Sequence, residues 1–241
     1  MSDYTYFSLI IPLYNEGPSL LNSIRTICRE LNKLKKSWEI IFIEDNSSDN
    51  TRKAIKKLQP KLKKSRVIYH QNNEGRGKSV TDGINSAHGK ICGYIDVDLE
   101  VSAKYIPVFI REIEKGSDLV VGKRSYEKNL ASITRVLASK GYSIIVKHLL
   151  SLPIEDTETG YKFFNKSKII EILPDVKDKR WFWDTEICAR AHLKGLLISQ
   201  IPVLFIRRPE KKSTVRLLPD TLEYFNRIWQ FRKELSTKNN G

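Results

Sequence analysis

Short apolar segments and amphipathic segments alternate through the first half of the chain, and this order restricts the possible folds more than any other feature. The short apolar runs predict buried strands, and apolar residues that recur along one side predict helices between them. The connections are long enough for right-handed crossovers, so the predicted fold class is α/β, with a mainly parallel, twisted sheet flanked by helices. The predicted strands are Tyr6–Pro12, Trp38–Ile43, Arg66–His70, Ile91–Val97 and Asp118–Gly122. The predicted helices are Leu20–Leu31, Thr51–Lys63 with Ser48 or Asp49 as its N-cap, Gly75–His88 and Ala103–Lys115.

Acidic or glycine-rich segments follow four of these strands. Glu16 follows the first, Glu44-Asp45 the second, Asn73–Gly77 the third and Asp96–Glu100 the fourth. In parallel α/β sheets, ligands bind at the carboxyl ends of the strands. The four segments therefore indicate an active site at one rim of the sheet.

The acidic segment after the fourth strand has carboxylates at alternate positions, namely Asp96, Asp98 and Glu100. In an extended chain these side chains share one face, and they repel one another unless a cation holds them. Oxygen ligands suit a hard divalent ion, so the segment predicts an Mg²⁺ or Mn²⁺ site that keeps positions open for phosphate oxygens. The alternative is a solvated acidic loop after a strand.

The charge of the chain indicates an anionic partner. Against 28 acidic residues it has 42 Lys and Arg, a net charge of +14, which suits nucleic acid, an anionic membrane surface or phosphorylated small molecules. The lysine runs lack the interleaved aromatic residues that stack on bases, so a nucleic-acid-binding module is the weaker reading and no nucleic-acid partner is expected.

Three isolated cysteines, Cys28, Cys92 and Cys188, lie in apolar patterns and are predicted to be reduced core residues, as in a cytosolic protein. The first residues show no signal-peptide pattern. No apolar run reaches the roughly 18 residues that a membrane-spanning helix needs.

The second half is less regular. A basic loop, Arg207–Arg216, precedes the last predicted helix. Both long helices carry an apolar stripe flanked by basic residues, which suits core packing, dimer contacts or an interfacial membrane helix. A single domain is expected over residues 1–235, with 236–241 as a disordered tail. The predicted elements are helices at Leu130–Leu150, Asp184–Leu193 and Leu218–Leu235 and strands at Tyr161–Asn165 and Leu197–Ile206, the latter interrupted by Pro202.

Two other enzyme classes fit poorly. The segment Asn73–Ser79 ends like a phosphate-binding P-loop, but position 72 is Asn where that motif needs glycine, which argues against an ATPase. A nucleotidyltransferase, the nearest rival, needs an early glycine-rich basic loop, and Leu13-Tyr14-Asn15-Glu16 is not one.

Four motifs occur in fixed order, namely Ile11–Glu16, Ile43–Asp49, Asn73–Gly77 and Asp96–Asp98. By these motifs the chain resembles inverting family 2 glycosyltransferases with the GT-A fold, whose nucleotide-binding half is Rossmann-like. Later segments are Val121–Arg124, Asp156–Lys162, Trp183–Glu186, Ile201–Val203 and the basic loop Arg207–Arg216. They are similar to the synthases that load a hexose onto dolichyl or other polyprenyl phosphate, and the resemblance covers about residues 6–235.

This resemblance implies a set of site residues, carried over by position. It implies a nucleotide-sugar-binding half at about 1–125 and an acceptor-binding half at about 126–235. Asp184, like Asp156, has an alternative role as a structural residue of a loop or helix cap. The implied catalytic residues are Asp96, Asp98, Arg124 and Asp184; the metal ligands are Asp96, Asp98 and Glu100; and the nucleotide-sugar-binding residues are Pro12, Tyr14, Glu16, Ile43, Asp45, Lys78, Asp96, Val97, Asp98, Arg124, Arg208 and Lys212.

The implied reaction is metal-dependent transfer of a hexose from UDP-glucose or GDP-mannose to polyprenyl or dolichyl phosphate. The reaction is expected at the cytoplasmic face of a membrane, with the protein in peripheral contact with that surface. A membrane-anchor partner or a homo-oligomer is also considered for the protein. Another cell-envelope glycan or lipid acceptor is the alternative.

Overall fold

The computed structural model describes residues 5–17, 20–126, 149–150, 152–207, 224 and 226–235. Seven strands within these ranges form one sheet. In chain order they are β1 (Phe7–Leu13), β2 (Trp38–Glu44), β3 (Ser65–Tyr69), β4 (Ile91–Ile95), β5 (Leu119–Tyr126), β6 (Tyr161–Asn165) and β7 (Ile198–Phe205).

The strand order is β3-β2-β1-β4-β6-β5-β7. β1 pairs in parallel with β2 and β4, β2 with β3, and β5 with β7. The prediction of a mainly parallel α/β sheet is confirmed. The exception is β6, which runs antiparallel between β4 and β5. Because of this reversal, the residues that precede β6 lie beside the carboxyl end of β4.

Helices cover both faces of the sheet. Apolar residues of α1 and α4 pack against one face, and those of α3, α5 and α6 against the other. The alternating pattern of the sequence therefore buries two apolar layers, as expected when helices flank a central sheet. The helices are α1 (Leu20–Leu31), α2 (Thr51–Leu58), α3 (Arg76–Ser86), α4 (Ile106–Glu114), α5 (Lys166–Ile172) and α6 (Trp183–Leu193), with 3₁₀ turns at Gln59–Lys61, Ala103–Tyr105 and Leu173–Asp175.

Three local differences from the sequence predictions have physical reasons. β7 runs unbroken through Pro202 because it pairs only with β5 among the described strands, and an edge strand tolerates a residue without an N–H. Asn50, rather than Ser48 or Asp49, is the N-cap of α2, although Asp49 Oδ1 accepts from the Thr51 N–H at 2.8 Å. The chain after Ile95 turns, as detailed below, instead of continuing the strand.

The C-terminal part of the described chain, residues 226–235, is helical. Its buried side is formed by Ile228 and Phe231, whereas Trp229 is 57% exposed. Trp229 therefore lies outside the packed side of this helix. Four sequence predictions lie wholly or mostly outside the described residues: Leu130–Leu150 apart from its end, Arg207–Arg216 beyond Arg207, the first half of Leu218–Leu235, and the 236–241 tail.

No described helix has the length and apolarity to cross a membrane. Cys28, Cys92 and Cys188 are free, as predicted, and burial raises the pKa of Cys92 and Cys188 to about 12.

Candidate functional site

The loops after β1 and β2 are joined by hydrogen bonds at the rim. Asn15 has φ 56°, and its Oδ1 accepts from the N–H groups of Ser48 at 2.9 Å and Asp49 at 3.2 Å. The Glu16 N–H donates to Thr51 Oγ1 at 2.8 Å. The two loops thus form one connected segment at the predicted donor side of the rim.

The predicted nucleoside-binding residues differ in their access to a ligand. Tyr14 is 42% exposed at the end of β1, and Pro12 is half-buried. Ile43 is fully buried in the apolar layer with Val80 and Ile84, so only its backbone can meet a nucleoside.

Asp45 organises the loop that follows β3. Its Oδ1 accepts from the Glu74 N–H at 2.8 Å, its Oδ2 accepts from the Gly75 N–H at 2.9 Å, and His70 Nδ1 lies 2.7 Å from Oδ1. Gly75 has φ 98°, and a Cβ there would lie 2.4 Å from the Lys179 carbonyl oxygen. Asp45 therefore helps to hold Gly75 at a positive φ, which suits glycine and allows the backbone to lie against Lys179.

The acidic segment after β4 is a turn. The Leu99 N–H donates to the Asp96 carbonyl at 3.3 Å, Leu99 has φ 54°, and the Glu100 N–H donates to Asp98 Oδ1 at 3.2 Å. The prediction that Asp96, Asp98 and Glu100 share one face of an extended chain is therefore wrong, because a period of two holds only for extended backbone. Asp96 keeps 42% of its side chain exposed and Asp98 is buried, while Val97 is fully buried in the apolar layer and has no side-chain access to a ligand.

Within the part of the chain that the structure describes, no group of three His, Cys, Asp or Glu residues is arranged to hold a metal ion alone. A preformed cage of Asp96, Asp98 and Glu100 is thus absent from these residues. The chemistry still fits Mg²⁺, which is usually bound by one or two carboxylates, with substrate phosphates supplying other oxygens. The assignment of these three as metal ligands remains a prediction.

Arg76, the first residue of α3, holds Asp96 and was not identified from the sequence. Its Nε and Nη2 donate to Asp96 Oδ1 at 3.1 and 2.9 Å, and its Nη1 donates to Asp184 Oδ2. The guanidinium also lies over the rings of Tyr94, at 5.2 Å, and Trp181, at 5.6 Å. Arg76 therefore joins the exposed carboxylate of the rim to a buried one behind it.

Asp184 lies in the first turn of α6 and is 1% exposed. Its Oδ1 accepts from the Tyr94 hydroxyl and from Lys162 Nζ, the latter at 2.5 Å. Burial, and then the charge of Asp184, raises the pKa of Tyr94 well above its usual value. A carboxylate so enclosed has no open path to a substrate, which favours the structural alternative for Asp184 over direct catalysis.

Arg124 at the end of β5 is paired with two carboxylates. Its Nε and Nη2 donate to Asp156 at 2.7 and 2.9 Å, and Nη2 donates to Glu158 at 3.4 Å. Burial alone would raise the pKa of Asp156, but the charge of Arg124 and the hydrogen bonds to the carboxylate together outweigh it, and the pKa is lowered. The pKa of Glu158 is raised because burial outweighs Arg124 there. In this structure Arg124 is engaged by protein carboxylates, so its predicted phosphate contact requires a rearrangement of these pairs.

The other predicted site residues are placed as follows. Lys78 Nζ donates to Asp82 one turn along α3, so its ammonium pairs within its own helix. Arg208 and Lys212 lie outside the described residues. The rim thus brings together Tyr14, Glu16, Asp45, Asp96 and Asp98.

A model of one protein family, described as glycosyl transferase family 2, matches residues 8–173, more than half of the chain. The chain belongs to glycosyl transferase family 2. The match spans β1 to α5 and includes the Asp45, Arg76 and Asp96 side chains of the rim.

The relatives of this family 2 glycosyltransferase confirm the resemblance of its motifs to polyprenyl-phosphate hexose synthases. Dolichyl-phosphate beta-glucosyltransferase of Dictyostelium discoideum is 32% identical, with 95% of this chain and 78% of that protein covered. The Saccharomyces cerevisiae protein of the same name is 30% identical, over 82% of this chain and 66% of its own length. Glycosyltransferase AglD of Haloferax volcanii is 26% identical over 92% of this chain, which spans only 37% of AglD.

Solved structures confirm the GT-A fold. Glucosyl-3-phosphoglycerate synthase of Mycobacterium tuberculosis, with Mg²⁺ and UDP, superposes with a TM-score of 0.69 at 13% identity, over 95% of this chain and 79% of that one. The same enzyme with Mn²⁺, UDP and glucosyl-3-phosphoglycerate gives a TM-score of 0.68 at 15% identity, over 95% and 80%. Staphylococcus aureus TarS with UDP-GlcNAc gives 0.57 at 17% identity, over 93% and 65%.

Proposed function

We propose that this family 2 glycosyltransferase moves a hexose from a nucleotide sugar to a polyprenyl phosphate, with inversion at the anomeric carbon. The observation that carries the proposal is the rim at the ends of β1, β2 and β4, where Asp45 fixes the glycine-rich segment and Arg76 holds the partly exposed Asp96. Relatives named dolichyl-phosphate beta-glucosyltransferases supply the acceptor class and favour glucose as the hexose.

The chemical demand on the donor side is to hold a nucleoside diphosphate and to stabilise its charge as it leaves. We assign Tyr14, Glu16 and Asp45 to the nucleoside end of the rim and Asp96 with Asp98 to the diphosphate end. A bound Mg²⁺ or Mn²⁺ would neutralise the leaving diphosphate. Asp98 and Asp96 would hold that ion, with Glu100 beside them. Burial raises the pKa of Asp96, and Arg76 opposes this rise while it orients the side chain, because a fixed guanidinium fork stabilises the carboxylate form.

The acceptor side needs a cation more than a base. A phosphate monoester is already ionised at neutral pH, so its oxygen can attack the anomeric carbon without a strong general base. This fits the enclosed position of Asp184. Arg124, whose pKa is raised by its two carboxylate partners despite burial, stays charged throughout and can exchange Asp156 or Glu158 for a phosphate.

A donor screen tests the proposal. Purified protein is given UDP-glucose or GDP-mannose, each labelled in the hexose, with a polyprenyl phosphate and Mn²⁺ or Mg²⁺. We expect a lipid-soluble labelled product with UDP-glucose that disappears on addition of a chelator. Transfer from GDP-mannose alone would show that the donor is GDP-mannose and would still support hexose transfer to polyprenyl phosphate. Hydrolysis of both donors without transfer to lipid would contradict polyprenyl phosphate as the acceptor.

We further propose that the chain works at the cytoplasmic face of a membrane, in peripheral contact with it, because a polyprenyl chain stays in the bilayer. The described part of the C-terminal helix offers Trp229, exposed, with Arg227, Arg232 and Lys233 near it in sequence. An aromatic side chain amid cations is typical of an interfacial helix on anionic lipid. Trp229→Glu should reduce co-sedimentation with phosphatidylserine vesicles while the protein stays folded, and unchanged sedimentation would contradict this contact.

A further inference from the structure

A lysine inside the core is connected to the rim by a short series of contacts. Lys162 is the second residue of β6 and is fully buried. Its Nζ donates to Asp184 Oδ1 at 2.5 Å, to the Thr159 carbonyl at 2.7 Å and to the Tyr94 hydroxyl at 3.1 Å. An ammonium group has three N–H donors, so these contacts use all of them. Lys162 therefore cannot act on a substrate directly.

Asp184 connects Lys162 to Arg76. One carboxylate oxygen accepts from Lys162 and Tyr94, and the other accepts from Arg76 Nη1. Because Lys162 and Tyr94 fix Oδ1, the direction in which Oδ2 accepts from Arg76 is also fixed. The carboxylate is buried, so its effect on the site passes through Arg76.

Arg76 in turn orients Asp96 at the rim. Its guanidinium is planar and rigid, so the position of Nη1 on Asp184 fixes where Nε and Nη2 point. Both of these donate to Asp96 Oδ1, at 3.1 and 2.9 Å. Asp96 is the partly exposed end of the series, at the rim.

The four ionised groups balance, with two cations and two anions joined by ion pairs. A balanced buried network can simply stabilise a fold, and removing one member is strongly destabilising in either case. Stability alone therefore cannot distinguish support of the core from control of the site. Donor affinity and the Arg76–Asp96 geometry can.

We propose that Lys162 is a positioning residue for the donor site: it fixes Asp184, which orients Arg76, which holds Asp96. The consequence for nucleotide binding rests on the proposed function, whereas the contact between Arg76 and Asp96 does not. The sequence gives no hint of this role, because Asp184, Arg76 and Asp96 are 22, 86 and 66 positions from Lys162 and only the fold brings them together.

The main test compares Lys162→Met with Ile187→Ala. Ile187 is a fully buried apolar residue of α6, three positions from Asp184, and lies outside the ion pairs. Both variants should melt at a lower temperature than the wild type. Affinity is then measured by calorimetry, below both melting temperatures, with Mn²⁺ and whichever of UDP or GDP the wild type binds.

We expect Lys162→Met to weaken nucleotide binding by about tenfold or more, the usual cost of losing a supporting residue behind a site. Ile187→Ala should bind as the wild type does. Equal weakening in the two variants, or unchanged affinity in Lys162→Met, would overturn the proposal. If Lys162→Met does not fold, Tyr94→Phe removes only the hydroxyl that contacts Lys162 and Asp184 and should give a smaller loss in the same direction; unchanged affinity in that variant also overturns it.

A double-mutant cycle tests the route through Arg76. In an Arg76→Lys background, which keeps the charge and removes the fork, Lys162→Met should cost less than about twofold further, because coupled positions are not additive. A full additional loss would show that Lys162 acts independently of Arg76.

A crystal structure of Lys162→Met or Tyr94→Phe gives a result that needs no nucleotide. Arg76 should no longer donate two hydrogen bonds to Asp96. An unchanged Arg76–Asp96 pair would refute the positioning role, even if the protein binds neither UDP nor GDP, an outcome that would instead count against the proposed function.

Discussion

Gly160 offers the sharpest test of the rim because its backbone touches Asp96. It is the residue before β6, and its carbonyl accepts from the Asp96 N–H at 3.1 Å. A Cβ on Gly160 would lie 1.8 Å from Asp96 Oδ2 and 2.4 Å from Arg76 Nη2. Gly160→Ala therefore places a methyl group between the two partners of the rim ion pair.

The size of the effect follows from these distances. Real Cβ atoms essentially never lie within 3.0 Å of such an atom, so the carboxylate must move by about 1.2 Å or more. A displacement of about 1 Å in a catalytic group costs roughly a hundredfold in rate, or about 2.7 kcal/mol of transition-state stabilisation. Overpacking of this kind costs about 1–3 kcal/mol in folding stability.

The assay is kcat/KM for hexose transfer, measured beside a melting curve. Gly122→Ala is the matched control: it adds a methyl group in β5 whose nearest neighbour, Thr159 Cγ2, is 3.1 Å away, a contact that a small shift relieves. We expect Gly160→Ala to lose about a hundredfold in kcat/KM and Gly122→Ala to lose little. Near wild-type activity in a folded Gly160→Ala protein would refute the placement of Asp96 in the reaction.

Three further predictions concern metal, acid and membrane. Asp98→Ala should remove the Mn²⁺-dependent part of nucleotide affinity, about tenfold or more, in calorimetry with and without Mn²⁺, while the melting curve shows a folded protein; an unchanged difference would count against Asp98 as a metal ligand. The pKa of Asp156 is lowered from 3.8 by Arg124 despite burial, so its stabilising contribution is present above that pH and is lost as the pH falls through the lowered value; Asp156→Asn should thus flatten the decline in melting temperature below about pH 4, and an identical decline would contradict the pair. Trp229→Glu should weaken vesicle binding and keep activity on a short, water-soluble prenyl phosphate; loss of activity on both short and long acceptors would place Trp229 in the fold instead.

Most of the strands and helices and the location of the rim could be predicted from the sequence because they depend on local patterns. Short apolar runs predict buried strands, and carboxylates that follow parallel strands lie at the same edge of the sheet. The face assignment at Asp96–Glu100 failed because it assumed extended backbone, and the positive φ of Leu99 turns the chain there.

The network behind the rim had no local signal. Lysine is almost never fully buried unless paired, so Lys162 in a short strand is expected to face solvent. Its partner Asp184 and the guanidinium of Arg76 are 108 positions apart in sequence, and only the fold brings them together. Likewise, apolar spacing alone could not show that Ile228, rather than Trp229, faces the core.

The reversed strand β6 has a consequence for how this chain is synthesised. β5 pairs with β6 and β7 among the described strands, and β4 reaches β5 only through β6. A nascent chain that has emerged only as far as residue 125 therefore has an open edge on β4 and an unpaired β5, both prone to aggregation. The partners of β4 in β6 lie 66 to 74 positions further on, so closure of the sheet is a late, long-range event of the kind that slows folding. Cutting this protein into a donor-binding half and an acceptor-binding half near residue 125 should thus yield two insoluble fragments.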